Sequence, residues 1–181
     1  MDLVSGVLQP LASRARIVLY RLAGMRIRGP VTLRAIEFPR RPRGITLEAG
    51  ASLDRGVTLL TTNDAARIVI GRSCYLNRHT MIDAEVAVEL GEHVMVGPFC
   101  YLTDHDHTFA AGARPAEGPL IAAPTRIGAR CWIGAHVSIL KGVTIGEGTV
   151  IGAGSIVTKS LPAQVVAVGN PARVIRKLAA E

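Results

Sequence analysis

The stretch Ile127–Val157, IGARCWIGAHVSILKGVTIGEGTVIGAGSIV, decides the fold. An aliphatic residue recurs at every sixth position: Ile127, Ile133, Ile139, Ile145, Ile151 and Val157. Glycine follows four of them (Gly128, Gly134, Gly146, Gly152), and a small or β-branched residue stands four places after the first five: Cys131, Val137, Val143, Thr149 and Ser155. A period of six is neither the 3.6 of a helix nor the simple alternation of a strand, but a flat rung followed by a sharp bend satisfies it.

Working outward, the same unit runs through Leu47, Leu53 and Leu59, then Ile70, Leu76 and Ile82, then Leu90, Val96 and Leu102, giving fifteen hexads. Three rungs closing one triangular turn make an 18-residue coil, so five coils are predicted. Each inward aliphatic then stacks on its equivalent about 4.8 Å along the axis, and parallel ladders between coils satisfy the backbone. Glycine after the inward residue suits the bends.

The composition agrees. Of 181 residues 49% are hydrophobic and 19% charged, which fits one folded domain, but only 4% are aromatic, so stacked aliphatics must fill the interior. Cys74, Cys100 and Cys131 all fall at the small-residue position, four after Ile70, Val96 and Ile127. They read as buried, inert thiols in a reducing compartment, neither a disulfide framework nor a thiolate zinc site. No apolar run approaches the roughly 20 residues of a membrane span, and no signal-peptide pattern opens the chain. A cytoplasmic protein is expected.

The net charge of +7 lies wholly in residues 1–43, where nine Arg face only Asp2 and Glu37; residues 44–181 are balanced. Val4, Leu8, Leu11, Ala15, Val18 and Leu22 form a helical stripe, with Arg14, Arg21 and Arg28 spaced by seven on another face. Pro10 is expected to kink or split that helix and Gly24 to end it. Two roles fit it: capping the open end of the coil, or peripheral docking on an anionic membrane surface. Nucleic acid is disfavoured, because no recognition motif is present and stacking aromatics are scarce.

The period breaks at Leu60–Val69, near Glu85–Glu89, and above all between Leu102 and Ile127, where 24 residues from Thr103 to Arg126 lack it. A loop of that length rooted on a stiff scaffold is a natural place for chemistry. It opens with Thr103-Asp104-His105-Asp106-His107. An imidazole whose other nitrogen is held by a carboxylate can take a proton from a hydroxyl near neutral pH.

The repeat, the segments Ile127–His136 and Val150–Lys159, and the ending Gly169-Asn-Pro-Ala-Arg-Val-Ile-Arg176 resemble the hexapeptide acyltransferases, above all the maltose/galactoside O-acetyltransferase branch and its relatives in surface-polysaccharide synthesis. The resemblance implies an all-β, left-handed parallel β-helix and a homotrimer with acetyl-CoA held between subunits. It divides the chain into a basic, partly helical extension (1–43), the β-helix (44–160, with the 103–126 loop) and a C-terminal cap (161–181).

By that resemblance, aligned on Val94–Pro98, His105 is the general base with His107 as the fallback, and Asp83 or Glu85 is its supporting carboxylate. Asn77 and Asp104 contact the acceptor. Trp132, Ala135, Ala153, Lys159, Arg173 and Arg176 hold coenzyme A, and no metal is required. The implied activity is transfer of an acetyl group to a sugar or polysaccharide-precursor hydroxyl. A second enzyme class shares the coil, the γ-type carbonic anhydrases, which hold zinc with three His. His79, His93, His105, His107 and His136 suffice in number, though not in spacing. Acetyltransferases acting on serine or a xenobiotic, and a purely structural β-helix, are further alternatives.

Overall fold

A computed structural model describes residues 3–39, 42–109, 111–112 and 114–179, with side chains from Leu11 onward. It is a left-handed parallel β-helix of about seven coils, with one helix, Leu3–Leu22, at its N-terminal end. Three parallel sheets form the three sides, each of the five central coils giving one strand to each. The predicted inward residues stack in register. Leu47, Ile70, Leu90, Ile127 and Ile145 follow one another along the first sheet. Leu53, Leu76, Val96, Ile133 and Ile151 do so along the second, and Leu59, Ile82, Leu102, Ile139 and Val157 along the third. All are buried.

Two coils exceed the predicted five. Arg26–Ile27 and Thr32–Leu33 pair with the next coil, and Glu37 bridges to Thr58, so most of the supposed N-terminal extension after the helix is a first coil. At the other end Leu161 bridges to Ile145 and Val165–Val168 joins the second sheet, before Arg173–Lys177 turns back antiparallel.

The glycines that follow inward residues serve proximity rather than bending. A Cβ on Gly134 would lie 2.6 Å from the Ala153 backbone nitrogen of the next coil, a distance no side chain tolerates. The left-handed corners fall elsewhere, two of them on His79 and His136 (φ +57° and +56°), which sandwich the Phe99 ring.

Each cysteine donates to a glycine carbonyl of the adjoining coil: Cys74 to Gly91 (2.9 Å), Cys100 to Gly134 (3.0 Å) and Cys131 to Gly146 (3.1 Å). Burial raises all three thiols, Cys74 to about 11, so the thiolate is scarce at neutral pH. Ellman's reagent is therefore expected to find no reactive thiol in the native protein and all three after denaturation; one native thiol reacting within minutes would contradict this packing.

The helix runs unbroken through Pro10, and Gly24 (φ +108°) ends it as expected. It does cap the coil, by a mixed face on which Ile17 and Tyr20 pack against the core beside polar contacts to the free backbone. The Ser13 hydroxyl accepts the Leu33 N–H (2.9 Å), Arg16 reaches the Leu33 carbonyl (3.3 Å), and Arg21 donates to the Ile27 carbonyl (3.0 Å). An end coil of a solenoid presents unpaired N–H and C=O groups, which need polar partners as well as apolar cover. The side chains of Val4 and Leu8 lie outside the described residues.

Candidate active site

The long excursion is a hairpin, His105–His107 pairing antiparallel with Leu120–Ala122, that springs from the third sheet directly after Tyr101–Thr103. An ion pair between Lys141 and Asp106 fastens its base to the following coil. At the root stands Asp104, wholly buried. Its carboxylate accepts the backbone N–H groups of Glu85 (2.7 Å), Val86 (2.8 Å) and Ala87 (2.5 Å). These span the two-residue insertion at the preceding coil and the start of the strand Ala87–Leu90, so two breaks in the repeat are tied to one carboxylate.

The same carboxylate lies 3.1 Å from Nδ1 of His105, and Thr103 Oγ1 is 3.3 Å from that nitrogen. An ionised Asp104 holds the proton on Nδ1, which leaves the Nε2 lone pair free. Nε2 faces Asp83, 3.9 Å away, and the imidazole side chain is only 10% exposed. Burial raises the Asp83 carboxyl above its ordinary value; the neighbouring Asp104 and Glu85 carboxylates add to that, while His105 opposes it. An imidazolium here would stand between two carboxylates, Asp83 on one side and Asp104 on the other.

The remaining expectations separate. Asp104 cannot touch an acceptor, because burial and its bonds to three N–H groups and an imidazole occupy it; it stands beneath His105. Glu85 accepts the Thr62 hydroxyl proton. His107 is exposed with Nδ1 3.1 Å from the Pro115 carbonyl, inside the hairpin.

Asn77, Trp132, Ala135 and Ala153 come together in one apolar groove of about 390 Å³ on the second sheet, lined also by Tyr75, Met95 and Val150. Asn77 Oδ1 takes the Arg78 N–H across the turn. Tyr75, Met95, Trp132, Val150, Val166 and Arg176 stand in one register row across the strands of that sheet, and Arg173 pairs with Val168 beside it. Trp132 is 52% exposed despite its size. Lys159 is exposed past the end of Ile156–Val157 on the third sheet, outside the groove lining.

Tyr75, Met95 and Val150 were missed by sequence reasoning. The signal was available: each immediately precedes an inward aliphatic, as Trp132 does, and so points outward on the same face. Among the described residues no three His, Cys, Asp or Glu side chains gather as metal ligands would.

The solenoid, its hairpin and its apolar row define a hexapeptide-repeat protein. The six-repeat model of the bacterial transferase hexapeptide family matches residues 124–159. It is 32% identical over 165 residues to a probable acetyltransferase of Mycobacterium tuberculosis, covering 89% of this chain and 55% of the relative. It is 43% identical over 113 residues to the galactoside O-acetyltransferase of Escherichia coli, covering 62% of this chain and 55% of the relative. The chain thus spans about half the length of these curated relatives. Among solved structures, a hexapeptide-repeat acetyltransferase of Vibrio cholerae complexed with acetyl coenzyme A superposes with a TM-score of 0.63 at 27% identity, over 73% of each chain.

Proposed function

We propose that the protein transfers an acetyl group from acetyl-CoA to a hydroxyl of a sugar or polysaccharide precursor, with His105 as the general base. The observation that carries this reading is the Asp104–His105 pair: a buried carboxylate fixes Nδ1 and leaves Nε2 as the free acceptor. Nε2 takes the hydroxyl proton as the acceptor oxygen attacks the thioester carbonyl carbon. The carbon–sulfur bond then breaks, and the imidazolium returns the proton to the departing thiolate, so no covalent acyl-enzyme is needed. Asp83 and Asp104 favour the transient positive charge on the ring.

The choice of donor is supported by the acetyl coenzyme A in the Vibrio cholerae structure, and that of a sugar acceptor by the Escherichia coli relative's name. In this reading pantetheine lies along the groove with Trp132 as its wall, Ala135 and Ala153 offer backbone groups, and Arg173 and Arg176 meet phosphates at the far end of the same face. Arg176 lies three strand steps from Trp132, about 14 Å. Lys159 completes the cation set only from outside the groove.

Neither His105 nor Asp83 lines that groove. A groove and a base on different sides of one triangular prism suit a homotrimer, in which one subunit's groove faces its neighbour's hairpin. Asn77 remains our candidate for contact with the acceptor. His107 remains the alternative base.

The test is release of free coenzyme A from acetyl-CoA on mixing with a panel of sugars. Trp132→Ala is expected to raise KM for acetyl-CoA roughly tenfold while kcat falls much less, since an aromatic wall contributes about 1.5 kcal/mol of uniform binding. No release with any hydroxyl acceptor would overturn the reading.

A further inference from the structure

The capping helix turns its apolar side to solvent. At 100° per residue, Leu11, Ala15, Val18, Leu19 and Leu22 fall within one arc of about 100°. Ser13, Ile17 and Tyr20 lie opposite, toward the coil. Leu11, Val18, Leu19 and Leu22 are 57%, 56%, 61% and 80% exposed. Two sets of contacts fix this orientation: Ser13, Arg16 and Arg21 serve the backbone of Ile27 and Leu33, and Ile17 and Tyr20 pack on the core. A stripe of large aliphatics is thereby left without cover among the described residues.

The charged residues of the helix itself from Leu11 onward are all arginines, while Arg28 beyond its end is paired with Glu48 (3.1 Å). Arg14 and Arg21 border the apolar arc, and the exposed Arg26 and Arg28 follow at the helix's end. Across residues 1–43 the only acids are Asp2 and Glu37. A second copy packing the same face on itself would set these arginines against one another. No helix among the described residues is long and apolar enough to cross a membrane. An apolar stripe edged by arginine is instead the pattern of a helix that lies in the headgroup region of an anionic bilayer.

We infer that the outward face of the helix from Leu11 to Leu22 docks the protein on an anionic membrane surface, with Leu11, Val18, Leu19 and Leu22 entering the interface and arginines meeting lipid phosphates. This stands apart from the acetyl-transfer reading, since none of these residues belongs to the groove or the hairpin.

The experiment is co-sedimentation of the full chain with vesicles of phosphatidylcholine mixed with phosphatidylglycerol, and with vesicles of phosphatidylcholine alone. The expected result is binding to the mixed vesicles only, weakening as salt rises. Val18→Asp with Leu22→Asp is expected to lower that partition at least tenfold, on the order of the apolar burial removed. Both positions are exposed, so the melting temperature should not move. Arg14→Glu, which leaves the apolar stripe whole, should also weaken binding.

Three results would overturn the inference. One is wild-type protein that ignores both vesicle types, including where it instead captures an acidic protein. Another is equal partition of the aspartate variant. The last is a smaller assembly of that variant in sedimentation velocity, which would make the face a subunit contact.

Discussion

Replacing Asp104 by Ala is expected to cost about 3–5 kcal/mol of stability and nearly all activity. The carboxylate is buried and accepts three backbone N–H groups, those of Glu85, Val86 and Ala87. Hydrogen bonds to a charged acceptor contribute about 1.5–3 kcal/mol each, and donors left buried without a partner carry the full desolvation penalty. Sub-additivity within one network brings the total to the lower figure. Asn is no substitute, because its NH₂ would meet a backbone N–H where the second oxygen now accepts. Urea denaturation of the variant beside the wild type measures the loss; a change under 1 kcal/mol would mean that the segment Glu85–Ala87 is held by something else. Activity falls for a second reason, since without Asp104 nothing charged fixes the tautomer of His105.

Replacing His105 by Ala is expected to lower kcat by 10²–10⁴-fold, roughly the span removed with a general base, while stability changes little. The pairing of His105–His107 with Leu120–Ala122 is made by backbone and does not need the ring. The same substitution at His107 is expected to leave most of the activity, because that ring is exposed and bonds only the Pro115 carbonyl. Steady-state release of coenzyme A from the two variants, with circular dichroism as the control for folding, separates them. Equal activity of His105→Ala and wild type would remove the imidazole from the mechanism, and loss confined to His107→Ala would move the base two residues along the hairpin.

The hexad positions were readable from the chain because one rule, an aliphatic every sixth residue, acts on every coil alike. The first coil escaped because Ile27 and Leu33 offer only one step of that period, and Glu37 stands where the third-sheet strand begins. The helical stripe was equally visible, but not its direction. The side facing the coil is chosen in part by the free backbone groups of Ile27 and Leu33, which carry no signature in side-chain type.

At the site, the clustering of His105, His107, Asp104 and Asp106 marked the hairpin, and the resemblance set His105 ahead of His107, but residue order did not single out Asp104 as the buried carboxylate. What distinguishes Asp104 is three N–H groups from a coil 17–19 residues earlier, a relation fixed by stacking rather than by local order. Glu85 looked interchangeable with Asp83; the outward alternation of Met81–Ala84 ends before it, and the insertion swings it to Thr62. Trp132 and its row were half visible, as the residues before each inward aliphatic.

The central claim is that one imidazole, held by Asp104 with its Nε2 free, receives the proton of a hydroxyl that attacks acetyl-CoA bound along the Trp132 row. A crystal structure with coenzyme A bound addresses it most directly. The expected result is pantetheine against Trp132, Ala135 and Ala153, phosphates toward Arg173 and Arg176, and the thiol within hydrogen-bond reach of Nε2 of a His105 from the same or a neighbouring subunit. A thiol ending at His107, or coenzyme A seated away from the Trp132 groove, would contradict it.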